Sequence, residues 1–324
     1  MTEQLKSIIL KATQAQSIIQ ITQIQQLWSG YGQMMRCTLA GGIQPSAVVK
    51  HVQFPEATNH PRGWNTNLSH QRKLKSYHIE MSWYDSLATR CDKACRVPQI
   101  YHLTDQSHEM LMVMEDLNVA GYPIRKSEVS KIEMKACLSW LAHFHAKFMG
   151  VRHGKLWDMG TYWHLATRPD ELAAMNDRPL QGAASAIDQT LTNAKYQTLV
   201  HGDAKLANFC FSVDGLQVAG VDFQYVGHGC GMKDVAYFLS SCLHEEDLTH
   251  CESELLTFYF EVLKKALTQY GQRIDFEEIQ QEWSYLYDYA WADFYRFLDG
   301  WSPGHWKMHS YSKNIRDRVL KDLS

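Results

Sequence analysis

Three features of the 324-residue chain predict an α+β fold in two unequal parts. Short apolar runs punctuated by glycine fill the first third, a long helical stripe lies among them, and helical periodicity interrupted by one hairpin fills the rest. The expected layout is a small antiparallel sheet with one main helix over residues 1–116, then a larger, mostly helical part over 117–324.

Residues 1 to about 20 read as a polar helix with Leu5, Ile8, Ile9, Ala12 and Ala15 on one side. Ile21–Ser29, Met34–Leu39 and Ala47–Phe54 read as strands of a meander, separated by turns at Gly30, Gly32 and Gly41-Gly42. From Leu74 the positions Tyr77, Met81, Tyr84 and Ala88 recur at steps of three and four, the buried stripe of a helix. Val97–Tyr101 and Leu111–Glu115 complete the strands, and the polar Glu115-Asp116-Leu117-Asn118 marks the boundary. Ser127–Met149 is helical, with Ser130 and Glu133 at capping-box spacing. A last helix is bounded by Asp275 with Glu278 at its start and by Gly300 and Pro303 at its end.

Composition narrows the function classes. Hydrophobic residues at 45% and charged residues at 21% are those of an ordinary globular protein. With 32 Lys+Arg against 35 Asp+Glu and no basic run, neither nucleic acid nor a membrane is an expected partner. Eight scattered cysteines read as reduced structural thiols. Glu3, Lys6 and Lys11 interrupt the amino end, so no signal core forms there and the expected location is the cytoplasm.

The hairpin is the most informative segment. Asp214-Gly215 between two apolar runs is a turn signal, and with those two residues as the turn, Val213 faces Leu216. Counting outward sets Asn208 opposite Val221, beside Asp222. A carboxylate and an amide oxygen side by side suit a hard cation such as Mg²⁺, which keeps places for phosphate oxygens. Asp203 follows His201-Gly202 five residues before Asn208, so its carboxylate reaches the same place. A proton-accepting Asp, an amide ligand and a metal-binding Asp are the parts of a phosphoryl-transfer site.

His201-Gly202-Asp203 with Asn208, then Val221-Asp222-Phe223-Gln224 and Asp234, resembles the aminoglycoside phosphotransferase and choline kinase superfamily. The resemblance is strongest to its ecdysteroid kinase-like branch, with Val200–Asp203, Asp222–Gln224 and the hinge Glu115–Leu117 as the matching motifs. It implies a two-lobed protein kinase-like fold and an ATP- and Mg²⁺-dependent transfer of phosphate to a small-molecule hydroxyl. Asp203 then resembles the catalytic base, Asn208 and Asp222 the metal ligands, His201 a scaffold of the loop, and Asp234 the carboxylate that braces that loop; a helix N-cap is the plainer account of Asp234. Lys205 departs from the branch, which more often has an aromatic residue there; it is read either as a neutraliser of the transferring group or as a solvated lysine.

In the sheet part, Lys50 of Val48-Val49-Lys50-His51 resembles the phosphate-holding lysine and Glu80 its ion-pair partner. Ser29-Gly30-Tyr31-Gly32-Gln33 stands where a phosphate-covering loop would lie, or marks a plain hairpin turn. The backbone of Glu115 and Leu117 is expected at the adenine edge. Trp283, Tyr285, Tyr287, Tyr289, Trp291, Phe294, Tyr295 and Phe297 occupy every face of the last helix, which is therefore buried on most sides or walls the acceptor pocket, with Asp288, Asp293 or Asp299 available to a cationic amine. An amino alcohol, a sugar or aminoglycoside, and a sterol-like acceptor all stay open, as does the oligomeric state. Two other readings are a protein kinase, disfavoured by Gly202 and the short Asp222–Asp234 segment, and a non-catalytic nucleotide-binding interaction module.

Overall fold

The computed structural model describes residues 1–27, 30–54, 67–106 and 109–324, the side chain of Asn67 excepted. Helix α1 (Glu3–Thr13) precedes strands β1 (Ser17–Gln26), β2 (Gly32–Ala40) and β3 (Ser46–Gln53). Helix α2 (Asn67–Ser86) and strands β4 (Ile100–Gln106) and β5 (Glu109–Glu115) follow. The five strands form one antiparallel sheet in the order β1-β2-β3-β5-β4.

Alternation along β3 decides which side chains meet which helix. Ala47 and Val49 pack with Leu5 and Ile9 of α1, Cys37, Leu111 and Val113 on one face. Val48 and Val52 pack with Tyr77, Met110 and Met112 on the other. Lys50 shares the parity of Val48 and Val52 and so points toward α2.

The remainder is mostly helical: α3 (Lys131–Lys147), α4 (Pro169–Ala173), α5 (Arg178–Thr192), then β6 (Thr198–Val200), β7 (Phe209–Phe211), β8 (Val218–Gly220) and β9 (Gly227–Gly229), then α6 (Met232–Cys242), α7 (Glu245–Gln269), α8 (Phe276–Trp301) and α9 (Ser310–Asp322). Helix α3 lies along α7, and α8 is enclosed by α5, α6 and α9. Trp83, Trp140, Phe144 and Phe223 stack in the main core, which runs from the α2 face of the sheet into the helical part.

Several boundaries differ from the sequence expectation for local reasons. Helix α1 stops at Thr13 because Gln14 takes a left-handed conformation (φ 53°) and returns its N–H to the Leu10 and Lys11 carbonyls. Strand β1 accordingly starts at Ser17, and Ser29, expected at its end, lies outside the described residues. Strand β4 starts at Ile100 and not at Val97; ahead of it Arg96 bridges Ala219, and the Gly220 N–H donates to its carbonyl at 2.9 Å. Helix α3 starts only after Ser130, which forms a capping box with Glu133.

The aromatic helix α8 is capped by Asp275, whose carboxylate accepts the Glu277 and Glu278 N–H groups. Gly300 does not end it. It sits in the last turn against α4, where a Cβ would run into the Glu171 carbonyl, and the helix closes at Ser302. Nor is it the last helix: α9 follows, with Ser312, Ile315 and Val319 as its buried stripe. All eight cysteines are free thiols. Among the described residues no helix is long and apolar enough to cross a membrane.

Candidate active site

The β7–β8 ladder pairs Phe209 with Gly220, Cys210 with Ala219 and Phe211 with Val218. Extended one step, that register sets Asn208 against Val221, and the Val221 N–H donates to the Asn208 carbonyl at 3.0 Å. The turn itself is wider than two residues. Ser212 and Gln217 close it through a 2.9 Å bond, and the Asp214 carboxylate takes the Ser212 hydroxyl and the Leu216 N–H. Val213 and Leu216 therefore stand out in solvent instead of facing each other across a ladder.

The loop from β6 carries Asp203, which is 6% exposed. Its Oδ2 accepts from Lys205 Nζ at 3.0 Å and from Asn208 Nδ2 at 3.0 Å. His201 stitches the loop to the hairpin: Nδ1 accepts the Asp203 N–H at 3.2 Å, so Nε2 carries the proton it donates to the Val221 carbonyl at 3.0 Å. From behind, the fully buried Asp234 carboxylate accepts the His201 N–H at 2.5 Å and the Gly202 N–H at 2.9 Å. His145 Nε2 lies 3.1 Å from the same carboxylate. Asp234 is the third residue of α6, so the N-cap account does not apply to it. Gly202 is required twice over: its φ is +79°, and a Cβ would collide with the Tyr225 carbonyl.

The sheet contributes the facing wall. Lys50 Nζ lies 2.6 Å from Glu80 Oε2, both side chains nearly inaccessible, and 3.7 Å from Asp222 Oδ1. Burial opposes the charge on Lys50, but Glu80 and Asp222 together hold its pKa above the ordinary value. Asp222 has φ +69°, rare for a residue with a side chain and frequent where a site imposes strain. Burial pushes its carboxyl up, and the ammonium groups of Lys50, Lys73 and Lys205 outweigh that and hold it down. Asp203 goes the other way. Burial, with Asp222 adding to it, raises its pKa against the pull of Lys205. One carboxylate is thus kept ionised while the other holds a proton more readily.

Asp222 Oδ1 is buried and has no hydrogen-bond partner. An orphaned carboxylate oxygen beside an amide-bearing Asn208 fits a hard divalent cation. Among the described residues no cluster of three or more His, Cys, Asp or Glu side chains is arranged to hold a metal by itself.

The hinge groups are placed differently from one another. The Glu115 carboxylate pairs with Arg96 and accepts the Gln99 N–H at 3.0 Å, so its side chain braces the β4 approach. Leu117 is buried with Tyr122, Cys210 and Ala219, and its carbonyl accepts the Tyr122 N–H at 2.8 Å. Asp116, which sequence reasoning passed over, pins this segment to the sheet through Arg36 Nε at 2.6 Å and Ser46 Oγ at 2.7 Å. Of the glycine loop, Gly30–Gln33 is described: Leu27 N–H bonds to the Gly32 carbonyl at 2.8 Å, and Gly32 packs where a Cβ would meet the His51 carbonyl. Ser29 lies outside the described residues.

Two of the three α8 aspartates already hold a cation, and the third binds backbone N–H groups. Asp288 pairs with Arg318, Asp293 with Arg296 and the Trp163 indole, and Asp299 takes the Asn176 and Asp177 N–H groups. The ring of Phe294 already faces an internal cation, Lys307, at 5.3 Å, which also lies 5.0 Å from Tyr237 and bonds to Ser240 Oγ at 3.2 Å. Burial pushes Lys307 down to about 8, with Cys242 and Asp203 pulling it back.

Sequence reasoning also missed Lys73. Its Nζ donates to Gln224 Oε1 at 2.8 Å and lies 4.7 Å over the Tyr77 ring. The signal was present: Lys73, Tyr77 and Glu80 stand at i, i+4 and i+7 on one face of α2.

The family model described as ecdysteroid kinase-like matches residues 72–164 and 158–272. A choline kinase from Cryptosporidium parvum Iowa II is similar over 100% of this chain and 95% of its own, at 12% identity and TM-score 0.59. An amicoumacin kinase in complex with AMP-PNP and Ca²⁺ is similar over 100% of this chain and 98% of its own, at 14% identity and TM-score 0.58. A microcompartment-associated aminopropanol kinase is similar over 98% of each chain, at 12% identity and TM-score 0.53. At these identities the three structures speak for a shared fold, the kinase-like arrangement of a small antiparallel sheet and a larger helical part. No curated protein matches the chain in sequence.

Proposed function

The chain belongs to the ecdysteroid kinase-like family, and from that premise we propose that it transfers phosphate from ATP, with Mg²⁺, to a hydroxyl group of a small molecule. The observation that carries this reading is the meeting of Asp203 and Asp222, whose Oδ1 no hydrogen bond satisfies, with three lysines from three separate segments. Two carboxylates with opposed proton affinities, ringed by cations, form a place for a polyphosphate and for a hydroxyl that must lose a proton.

In this account the adenine edge pairs with the Glu115 carbonyl and the Leu117 N–H. Lys50, braced by Glu80, takes the α and β phosphates. Asn208 and Asp222 would hold Mg²⁺, which when bound supplies positive charge to the phosphate oxygens. Lys205 and Asn208 both bond to Asp203 Oδ2, so Oδ1 is the oxygen that receives the acceptor hydroxyl. As the acceptor O–P bond forms, the bond from the γ phosphorus to the bridging oxygen breaks. ADP departs with that electron pair, and the acceptor proton passes to Asp203. His201 and Asp234 hold the loop and touch no reactant. A protein kinase's activation-sensing arginine has no room at Gly202, which supports a site assembled without a phosphorylation signal. The eight free thiols support a reducing compartment, the cytoplasm.

The test is a pooled library of amino alcohols, sugars, aminoglycosides and hydroxylated sterols incubated with ATP and Mg²⁺ and read by mass for the addition of a phosphoryl group. A product that requires Mg²⁺ supports the reading. Tight ATP binding with no product across every class would favour the interaction-module reading instead.

A further inference from the structure

Three lysines face the two site carboxylates, and two of them are paired. Lys50 pairs with Glu80 at 2.6 Å and Lys205 with Asp203 at 3.0 Å. Lys73 differs: among the described residues no carboxylate lies within ion-pair distance of it, and its hydrogen bond goes to an amide oxygen, Gln224 Oε1, at 2.8 Å. That amide is itself fixed. Ser76 Oγ donates to the same oxygen at 3.3 Å, and the Trp157 indole N–H holds the Gln224 carbonyl at 2.9 Å.

The position of Lys73 follows from its neighbours. Lys50 and Lys73 both lie over one aromatic ring, that of Tyr77, at 5.6 and 4.7 Å from its centroid. Lys73 reaches the site through Gln224, two residues past Asp222, whereas Lys205 bonds directly to Asp203 Oδ2. Lys73 thus shares the Tyr77 ring with Lys50 on one side and is tied to the Asp222–Gln224 segment on the other. Two ammonium groups held near each other repel, and the arrangement is relieved when a polyanion lies between them.

Building on the kinase reading, we propose that Lys73 is a phosphate-contacting residue that grips the γ phosphoryl group of the nucleotide, with Gln224 holding its ammonium in place. Lys50 then serves the α and β phosphates, and Lys73 neutralises charge on the group in transit toward the acceptor. Because Lys73 belongs to α2, the same helix that carries Glu80 sets both contacts at once.

The proposal needs no acceptor to be tested. Affinities for AMP-PNP and for ADP, each with Mg²⁺, are measured by calorimetry on the wild type and on Lys73→Met, Lys73→Arg and Gln224→Met, with melting temperature as the folding control. The expected result is that Lys73→Met loses about tenfold in AMP-PNP affinity, one charge-assisted hydrogen bond's worth, while ADP affinity changes less than about twofold. Lys73→Arg keeps the preference for the triphosphate, and Gln224→Met loses part of it. Equal losses for both nucleotides, or none for either, overturn the assignment while leaving the kinase reading in place. A wild type that binds neither nucleotide overturns both. Should Lys73→Met fail to fold, Lys73→Arg and Gln224→Met decide the matter by the same ratio.

Discussion

Replacing Asp234 by asparagine removes a charge from the back of the Asp203 loop without changing its shape. The carboxylate accepts two backbone N–H groups, from His201 and Gly202, and faces His145 Nε2, all fully buried or nearly so. An asparagine keeps one acceptor oxygen and presents an NH₂ to the other donors, so one buried N–H is left unsatisfied at a cost of about 1–3 kcal/mol. The bonds that survive change from charge-assisted to neutral, which roughly halves them and removes about 1–2 kcal/mol more. The expected loss is therefore about 2–5 kcal/mol, a large share of the ~5–15 kcal/mol that holds a typical protein folded. By thermal melting this corresponds to a drop of about 4–20 °C, from ~2–4 °C per kcal/mol in larger domains. A drop below about 2 °C would refute the reasoning, because the three bonds could not then be carrying what their geometry implies.

Three further outcomes are expected. Gly202→Arg meets both a left-handed backbone and the Tyr225 carbonyl, so melting should fall by the equivalent of about 2–5 kcal/mol from strain and overpacking together; unchanged melting would show that the loop relaxes freely. Lys50→Met leaves Glu80 buried without its ammonium, a cost of about 3 kcal/mol at pH 8. The loss should shrink at pH 6, where the stranded carboxyl can take a proton, and a pH-independent loss would contradict this. Glu252, which accepts the Tyr287 hydroxyl at 2.6 Å, is pushed up by burial to about 6. Its folded pKa lies above the unfolded one, so it favours folding at low pH and that contribution is lost as pH rises through about 4.5 to 6, up to about 2 kcal/mol. Glu252→Gln should flatten the melting profile over that range, and an unaltered slope would assign the effect elsewhere.

What could be read from the sequence was whatever local spacing encodes. The hairpin register needed only a turn and a count, and the ladder agrees with it at Asn208 and Val221 even though the turn is two residues wider than the count assumed. The Lys50–Glu80 pair came from the family resemblance, with Glu80 at the edge of the helical stripe in its support, and the two side chains meet at 2.6 Å. What could not be read depends on partners distant in the chain. Ala219 and Gly220, far along the chain, claim the backbone of Arg96 just ahead of the expected strand. Gly300 looks like a terminator in sequence and is in fact a point of close approach to Glu171. Asp293 and Asp299 look available until Trp163, Asn176 and Asp177 are brought against them by folding. Lys73 had a legible spacing, but its importance lies in Gln224, far along the chain, and in the absence of a carboxylate partner among the described residues.

The central claim is that Asp203 takes the proton from an acceptor hydroxyl while other residues hold the nucleotide. The most direct test compares wild type and Asp203→Asn for Mg²⁺-dependent transfer of the γ phosphate from ATP to the acceptor found by the library, alongside nucleotide affinity for each. The account predicts affinity within about twofold and a fall in turnover of about 10²–10⁴, the usual contribution of a positioned base. Transfer by Asp203→Asn at the wild-type rate, with nucleotide bound as before, would contradict it.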